Sequence, residues 1–390
     1  MQPEPSGIGP GRLLAFDGLR GIVALSVIIF HFFFEVLGQR FPIYSGPLLA
    51  GLTSSNTGIF LMLSGYVLTE GNWRLAHKPR VHRQLVKRYF RLTIPMLASV
   101  LVVLALVWAG LCYHVPASWL LGVESWLGDK LPMQATLGDA IYDATIRVYL
   151  PHPDALSYNP FLWTMQAELW GSLTLFAILL LDRRISPYAT LFVAAALFFS
   201  VRPITCSIII GGLISLLRHD GHLDGAIEEM RRKPWLQVCY LMTAFSLGSL
   251  AMPVGLQQIA APLAGILVIV PLLASKSMQK LLSTEPMQFL GKLSLPLLLV
   301  QFPVLISFTS WAMLWLKGTG SFNLASATLV AINSSLLCVL GAFAFLPVEE
   351  GTGRFCSWLT RLVFGPAPPR QAFAPMPSSP SGRPIPAASR

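Results

Sequence analysis

A chain of 390 residues that is 54% hydrophobic, 12% charged and has a mean hydropathy of +0.62 carries more apolar surface than a water-soluble core of its size would bury. This composition excludes an ordinary soluble domain and leaves lipid as the solvent, which apolar segments of about 20 residues can span. The net charge of +10 gathers in short loops between apolar segments, as topology signals do, and no nucleic-acid partner is expected from it.

In chain order, residues 1–12 read as a cytoplasmic lead segment without the basic run or cleavage site of a signal peptide. Apolar segments follow at about 14–37, 47–70, 92–112, 160–181, 187–201, 203–217, 235–252, 256–274, 289–316 and 322–347. Backbone groups in hydrocarbon must be satisfied internally, so these are predicted helices. The fold class is therefore all-α, a polytopic membrane protein with about ten transmembrane helices spread over a membrane domain of 13–364. The tail, 365–390, is rich in Pro, Ser and Ala and reads as disordered.

The loop between the second and third segments holds Arg74, Lys78, Arg80, Arg83, Lys87, Arg88 and Arg91 almost without acid, which makes it cytoplasmic. Alternation then puts Arg183, Arg184, Arg231, Arg232 and Lys233 inside as well, and both termini in the cytoplasm. The longest outward loop, about 113–159, contains Trp119 and Trp126, suited to the membrane interface, and Glu124, Asp129, Asp139 and Asp143. Five scattered cysteines show neither metal-ligand spacing nor a disulfide framework, so no metal is expected.

Within the apolar segments a few ionisable residues stand out, because such groups are costly in lipid and mark function by default. Arg20 and His31 are eleven residues apart, so on a continuous α-helix they share a face about 16 Å apart. Histidine takes and returns a proton near neutral pH, and Glu35, one turn on, is placed to orient the ring. The alternative for His31 is a ring bonded to a neighbouring helix, and for Arg20 simple obedience to the positive-inside bias. Thr164, Glu168 and Ser172 recur every four residues on one helical face, where the carboxylate needs a partner or water. Arg88 and Arg91 are neighbours on one face beside Lys87; their guanidinium groups suit phosphates, either of a cytosolic ligand or of lipid. Ser64-Gly65 permits close helix approach, and Gln301 is expected to bond another helix.

The stretches FDGLRGIVALSVIIFHFF, GIFLMLSGYVL, KRYFRLTIP, YNPFLWTMQAELW and FLGKLSLPLLLVQFPV, in this order, resemble the acyltransferase 3 family of integral membrane O-acyltransferases, the group of the O-antigen and peptidoglycan O-acetylases. The resemblance implies a ten-helix domain that moves an acyl group, usually acetyl, from acyl-CoA in the cytoplasm to a carbohydrate or glycolipid hydroxyl of the cell envelope. It makes His31 and Arg20 the catalytic pair, Arg88 and Arg91 with Lys87 the binding set for CoA phosphates, and Glu168 a further catalytic position. One departure is Gln301, where members often carry histidine, with Leu295 and Leu298 replacing aromatic positions before it. In a different functional class, the same polar residues would fit a proton-coupled secondary transporter or exporter with Arg20, His31 and Glu168 along its path. Acyl-CoA dependence separates the two, and either places the chain in the cell membrane.

Overall fold

The computed structural model describes residues 14–73, 78–128, 131, 135–150, 157–181, 184–250 and 254–366. The segment 1–12, Arg74, Asp129, Arg183 and the tail beyond Pro366 lie outside them. All regular structure among the described residues is helical. The helices are α1 (Leu14–Leu37), α2 (Pro47–Thr53), α3 (Asn56–Trp73), α4 (Lys78–Trp108), α5 (His114–Leu121), α6 (Leu137–Thr145), α7 (Thr164–Leu180), α8 (Pro187–Val201), α9 (Cys206–His219), α10 (Asp224–Arg232), α11 (Pro234–Ser249), α12 (Val254–Ala274), α13 (Lys276–Leu282), α14 (Glu285–Gly318) and α15 (Leu324–Phe364).

Among the described residues, α1, the 28 residues Val81–Trp108 of α4, α14 and α15 are each long and apolar enough to cross a membrane. Two bent pairs, Pro203–His219 with α10 at 86° and Ile259–Ala274 with α13 at 98°, pass the same test when each pair is taken as one broken span. α8 is a shorter apolar helix. Large side chains on its outer surface, such as Phe192 and Leu197, are exposed, as suits a lipid-facing helix.

Several predicted boundaries move for local reasons. The second predicted segment is broken at Ser54-Ser55 into α2 and α3. The basic loop before the third segment is instead the first turns of α4, since Lys, Arg and Gln propagate a helix as well as Leu does. The last helix runs past its predicted end near 347 to Phe364, where Arg83 of α4 donates to the carbonyls of Phe364 (2.8 Å) and Pro366 (2.9 Å). α1 and α14 each change from α to π winding, over Phe30–Leu37 and Leu305–Thr309. Such segments concentrate at functional sites.

Three apolar clusters hold the helices together. α1 belongs to two of them: Ala24, Ile28, Phe32, Val36 and Leu37 pack with α4, α14 and α15, whereas Ala15, Phe16, Leu19 and Val23 pack with α3 and α12. The third joins α7, α8 and α9. Glycines set the closest approaches. Gly18 of α1 lies against Leu282 and Met287, and Gly21 against Leu290 and Gly291 of α14, so the two helices run in the same direction. Gly65 of α3 lies against the backbone of Ile208 in α9.

A methyl at Gly65 would fall on the Ile208 carbonyl, which belongs to a helix backbone and cannot turn aside. Gly65→Ala is expected to lower stability by about 1–3 kcal/mol, the usual effect of overpacking. Gly353→Ala, which meets open space in α15, is expected to raise it by up to about 1 kcal/mol through helix propensity. Thermal unfolding of the two purified variants in detergent checks both signs.

Candidate functional site

Four helices place their polar residues in one buried cluster. Ser64 of α3 donates to Glu168 Oε1 of α7 at 2.6 Å, and Arg20 of α1 reaches the Ser64 hydroxyl at 3.4 Å. Arg88 of α4 pairs with Glu168 Oε2 and donates through Nε to Ser172 Oγ at 3.1 Å. The predicted face of α7 is thus confirmed in its lower two members, which grip the same guanidinium. Glu168 is only 2% exposed, so its charge depends on Arg88 and Ser64 rather than on water. Arg20 also stands over the Phe60 ring at 5.5 Å, while its Nε is buried without a hydrogen-bond partner.

The cluster extends electrostatically. Asp17 and Glu168 attract Arg20, and Arg88 and Arg91 repel it. Glu349 of α15 is in range of both Arg91 and Arg20. Arg88 is consumed by internal bonds, whereas Arg91 is exposed. Lys87 and Arg91 also influence Cys356, whose thiol donates to the Lys87 carbonyl at 3.8 Å. The members of the predicted basic set therefore differ: Arg91 and Lys87 remain open to a ligand, and Arg88 holds Glu168.

His31 stands apart from this cluster. Its Nδ1 lies 2.5 Å from Glu35 Oε2, one turn further along α1. The ring is stacked on Phe161 at 3.9 Å with an interplanar angle of 13°, and Trp126 lies 6.2 Å away on a nearly parallel plane. Phe161 in turn meets Phe302 of α14 edge-on at 5.5 Å. Glu35 therefore fixes one ring nitrogen, and aromatic faces fix the ring plane. No described residue hydrogen-bonds Nε2. Arg20 and His31 form two stations along α1, the first at Ser64 and the second at Glu35, Phe161 and Trp126, with winding that changes to π at Phe30. α7 and the turn before it touch both stations: Glu168 belongs to the one at Arg20 and Phe161, seven residues earlier, to the one at His31.

Gln301 departs from expectation. It is fully buried, and neither Nε2 nor Oε1 has a hydrogen-bond partner, so it does not bond another helix. It is eleven residues beyond Leu290, the residue packed on Gly21, and so shares that stripe of α14. Ten residues on from Gly21 and Gly291 along parallel helices, Gln301 and His31 come to the same level. The apolar neighbours Leu297, Phe302 and Leu305 are as deeply buried as the amide.

In the segment between α4 and α7, Arg147 pairs with Asp139 and lies 3.5 Å from Asp143. Burial raises the Asp143 carboxyl above its ordinary range, opposed by the Tyr158 amide that donates to it at 3.0 Å. No group of three or more His, Cys, Asp or Glu side chains arranged to hold a metal occurs among the described residues. Sequence reasoning missed Glu349, whose signal was the acidic pair Glu349-Glu350 closing an apolar helix. It also missed the pairing of Phe161 with His31, which nothing in the local pattern foretells.

The acyltransferase-domain family matches residues 13–347, so the chain belongs to the acyltransferase 3 family. No curated protein and no solved structure matches it. The family makes the chain a membrane acyltransferase.

Two stability outcomes follow from the site. Glu168→Gln leaves Arg88 buried beside a neutral amide and is expected to lower stability by about 3–5 kcal/mol, the penalty for breaking a buried pair. The Arg88→Met/Glu168→Leu double variant is expected to recover most of that loss, which a double-mutant cycle of unfolding midpoints would read. Gln301→Leu, by contrast, removes two unsatisfied buried groups at similar volume and is expected to raise stability by about 1–3 kcal/mol. A fall in melting temperature on Gln301→Leu would show that the carboxamide is satisfied in the folded protein.

Proposed function

We propose that this membrane acyltransferase takes its acyl group, acetyl in the simplest case, from acyl-CoA on the cytoplasmic side and delivers it to a hydroxyl of an envelope carbohydrate or glycolipid. The reading includes ten membrane crossings with both termini in the cytoplasm, in the cell membrane. The observation that carries it is the His31–Glu35 pair on its aromatic shelf. A ring with Nδ1 bonded to a carboxylate presents Nε2 as the proton acceptor, and the half-buried Trp126 beside the shelf suits the apolar face of a sugar.

In the step proposed, His31 Nε2 takes the proton of the acceptor hydroxyl as its oxygen bonds to the thioester carbonyl carbon. Collapse of the tetrahedral intermediate breaks the carbon–sulfur bond, and the departing thiolate takes the proton from His31. Glu35 stabilises the imidazolium while it exists, and general-base help of this kind contributes about 10²–10⁴-fold. Arg91 and Lys87, with Arg20 deeper along α1, supply positive charge for the donor phosphates. Arg88 and Glu168 hold the frame on which these groups stand. The roughly 16 Å between Arg20 and His31 along α1 suits a long donor whose charged end and reacting end are far apart.

Envelope glycans from cells expressing wild type or His31→Ala at matched protein levels test the reading by mass spectrometry for a base-labile ester. The ester is expected to fall by about 10²-fold or more in His31→Ala and by a smaller factor in Glu35→Gln. Equal ester in wild type and His31→Ala would remove His31 from the mechanism.

A further inference from the structure

Arg202 occupies the corner between α8 and α9, where the chain turns through Pro203–Thr205. Its guanidinium carbon lies 5.0 Å from the centroid of the Trp163 ring, and Nη1 donates to the side-chain oxygen of Gln166. Both partners are neutral. No carboxylate among the described residues pairs with this cation, unlike Arg88, Arg147 and Arg218, which all have one.

Its surroundings are those of a bilayer rim. Trp163 is 40% exposed, and Val201, the preceding residue, is 84% exposed. Leu197 and Val193, at four-residue spacing, continue the exposed apolar face down α8. The opposite end of α8 is marked by Tyr188, which donates to Asp220 at 2.6 Å beside the basic residues Arg218 and His219. If those basic loops face the cytoplasm, as the proposed function has them, Arg202 stands at the outer surface. The positive-inside bias does not account for an arginine there.

We propose that Arg202, with Trp163 and Gln166, is a binding site for the phosphate of a lipid in the outer leaflet. The chemistry selects this class. A guanidinium keeps its charge in any environment and presents its remaining N–H donors as a planar fork that fits phosphate oxygens. Stacking on the indole and the bond to Gln166 hold the fork in place before a ligand arrives, which reduces the ordering cost of binding. The exposed apolar strip of α8 beside it would receive the acyl chains. The site lies two residues from Phe161, on a different side of the short turn Pro160–Trp163, and is separate from the His31 shelf.

The inference uses the membrane orientation of the proposed function, but its test reads binding alone and is independent of acyl transfer. The full chain, purified in a neutral detergent, is titrated with short-chain phosphatidic acid, with the matching diacylglycerol and with inorganic phosphate, following the melting temperature. Phosphatidic acid is expected to raise it saturably in the wild type, and the other two to leave it unchanged. In Arg202→Gln the half-effect concentration is expected to rise about tenfold or more, the loss of one charge-assisted contact. Arg202→Lys, which keeps the charge without the fork, covers the case in which the glutamine variant does not fold, and is expected to weaken binding by a smaller factor. Superimposable phosphatidic acid titrations for wild type and a folded Arg202 variant would overturn the proposal, as would an equal response to diacylglycerol. An equal response to inorganic phosphate would assign the site to a free anion and overturn the lipid.

Discussion

The pairing of Arg88 with Glu168 is the constraint on which the rest of the interior depends. A carboxylate that is almost wholly buried has no water to solvate it, so the helices that bring Arg88, Ser64 and Ser172 to it must stay together. Those helices are α3, α4 and α7, and Arg20 ties α1 to them through the same serine hydroxyl. Apolar packing alone would tolerate rotation or sliding of these helices against one another, because dispersion is indifferent to which side chain meets which. The ion pair with its hydroxyl links is not. It fixes the register of four helices at one level, and glycine contacts such as Gly65 on Ile208 then let the backbones close around it.

Placing this cluster and His31 on the same helix makes α1 a ruler between a region of fixed positive charge and an imidazole paired with a carboxylate. The station at Arg20 has three arginines against Glu168, Asp17 and Glu349. The one at His31 has a single imidazole, oriented by Glu35 and clamped by aromatic rings. Between them the packing residues of α1, including Ala24 and Ile28, are apolar and buried. Both stations face α7 and the turn that leads into it, and the π winding that begins at Phe30 progressively redirects the residues that follow His31.

Much of this was legible in the sequence, and the part that was not has a physical reason. Arg20, His31 and Glu168 announce themselves as ionisable groups in apolar segments, and the four-residue spacing of Glu168 and Ser172 correctly places both on one face. What periodicity does not contain is partner choice across helices. Arg88 reads as a cytoplasmic cation available to phosphate, and only tertiary packing reveals that Glu168 has claimed it. Winding is equally hidden, since FHFFFEVL has nothing in its composition to distinguish π from α. The boundary of the third predicted segment failed because hydropathy marks where a helix becomes apolar, whereas α4 begins with residues that are polar and strongly helix-forming.

Gln301 illustrates the converse, a residue whose sequence context suggests more satisfaction than the structure provides. Polar side chains in apolar helices normally find a partner on a neighbour, yet here the fully buried amide has none. At about the same level, His31 uses Nδ1 on Glu35 and makes no hydrogen bond to the amide. A histidine at position 301 would set a second titratable ring beside the first within one apolar wall, and protonation of one would oppose protonation of the other. The glutamine keeps hydrogen-bonding capacity at that level without adding a second titratable ring. α14 thus meets α1 with close backbone packing at the arginine end and with an uncharged amide near the level of the imidazole.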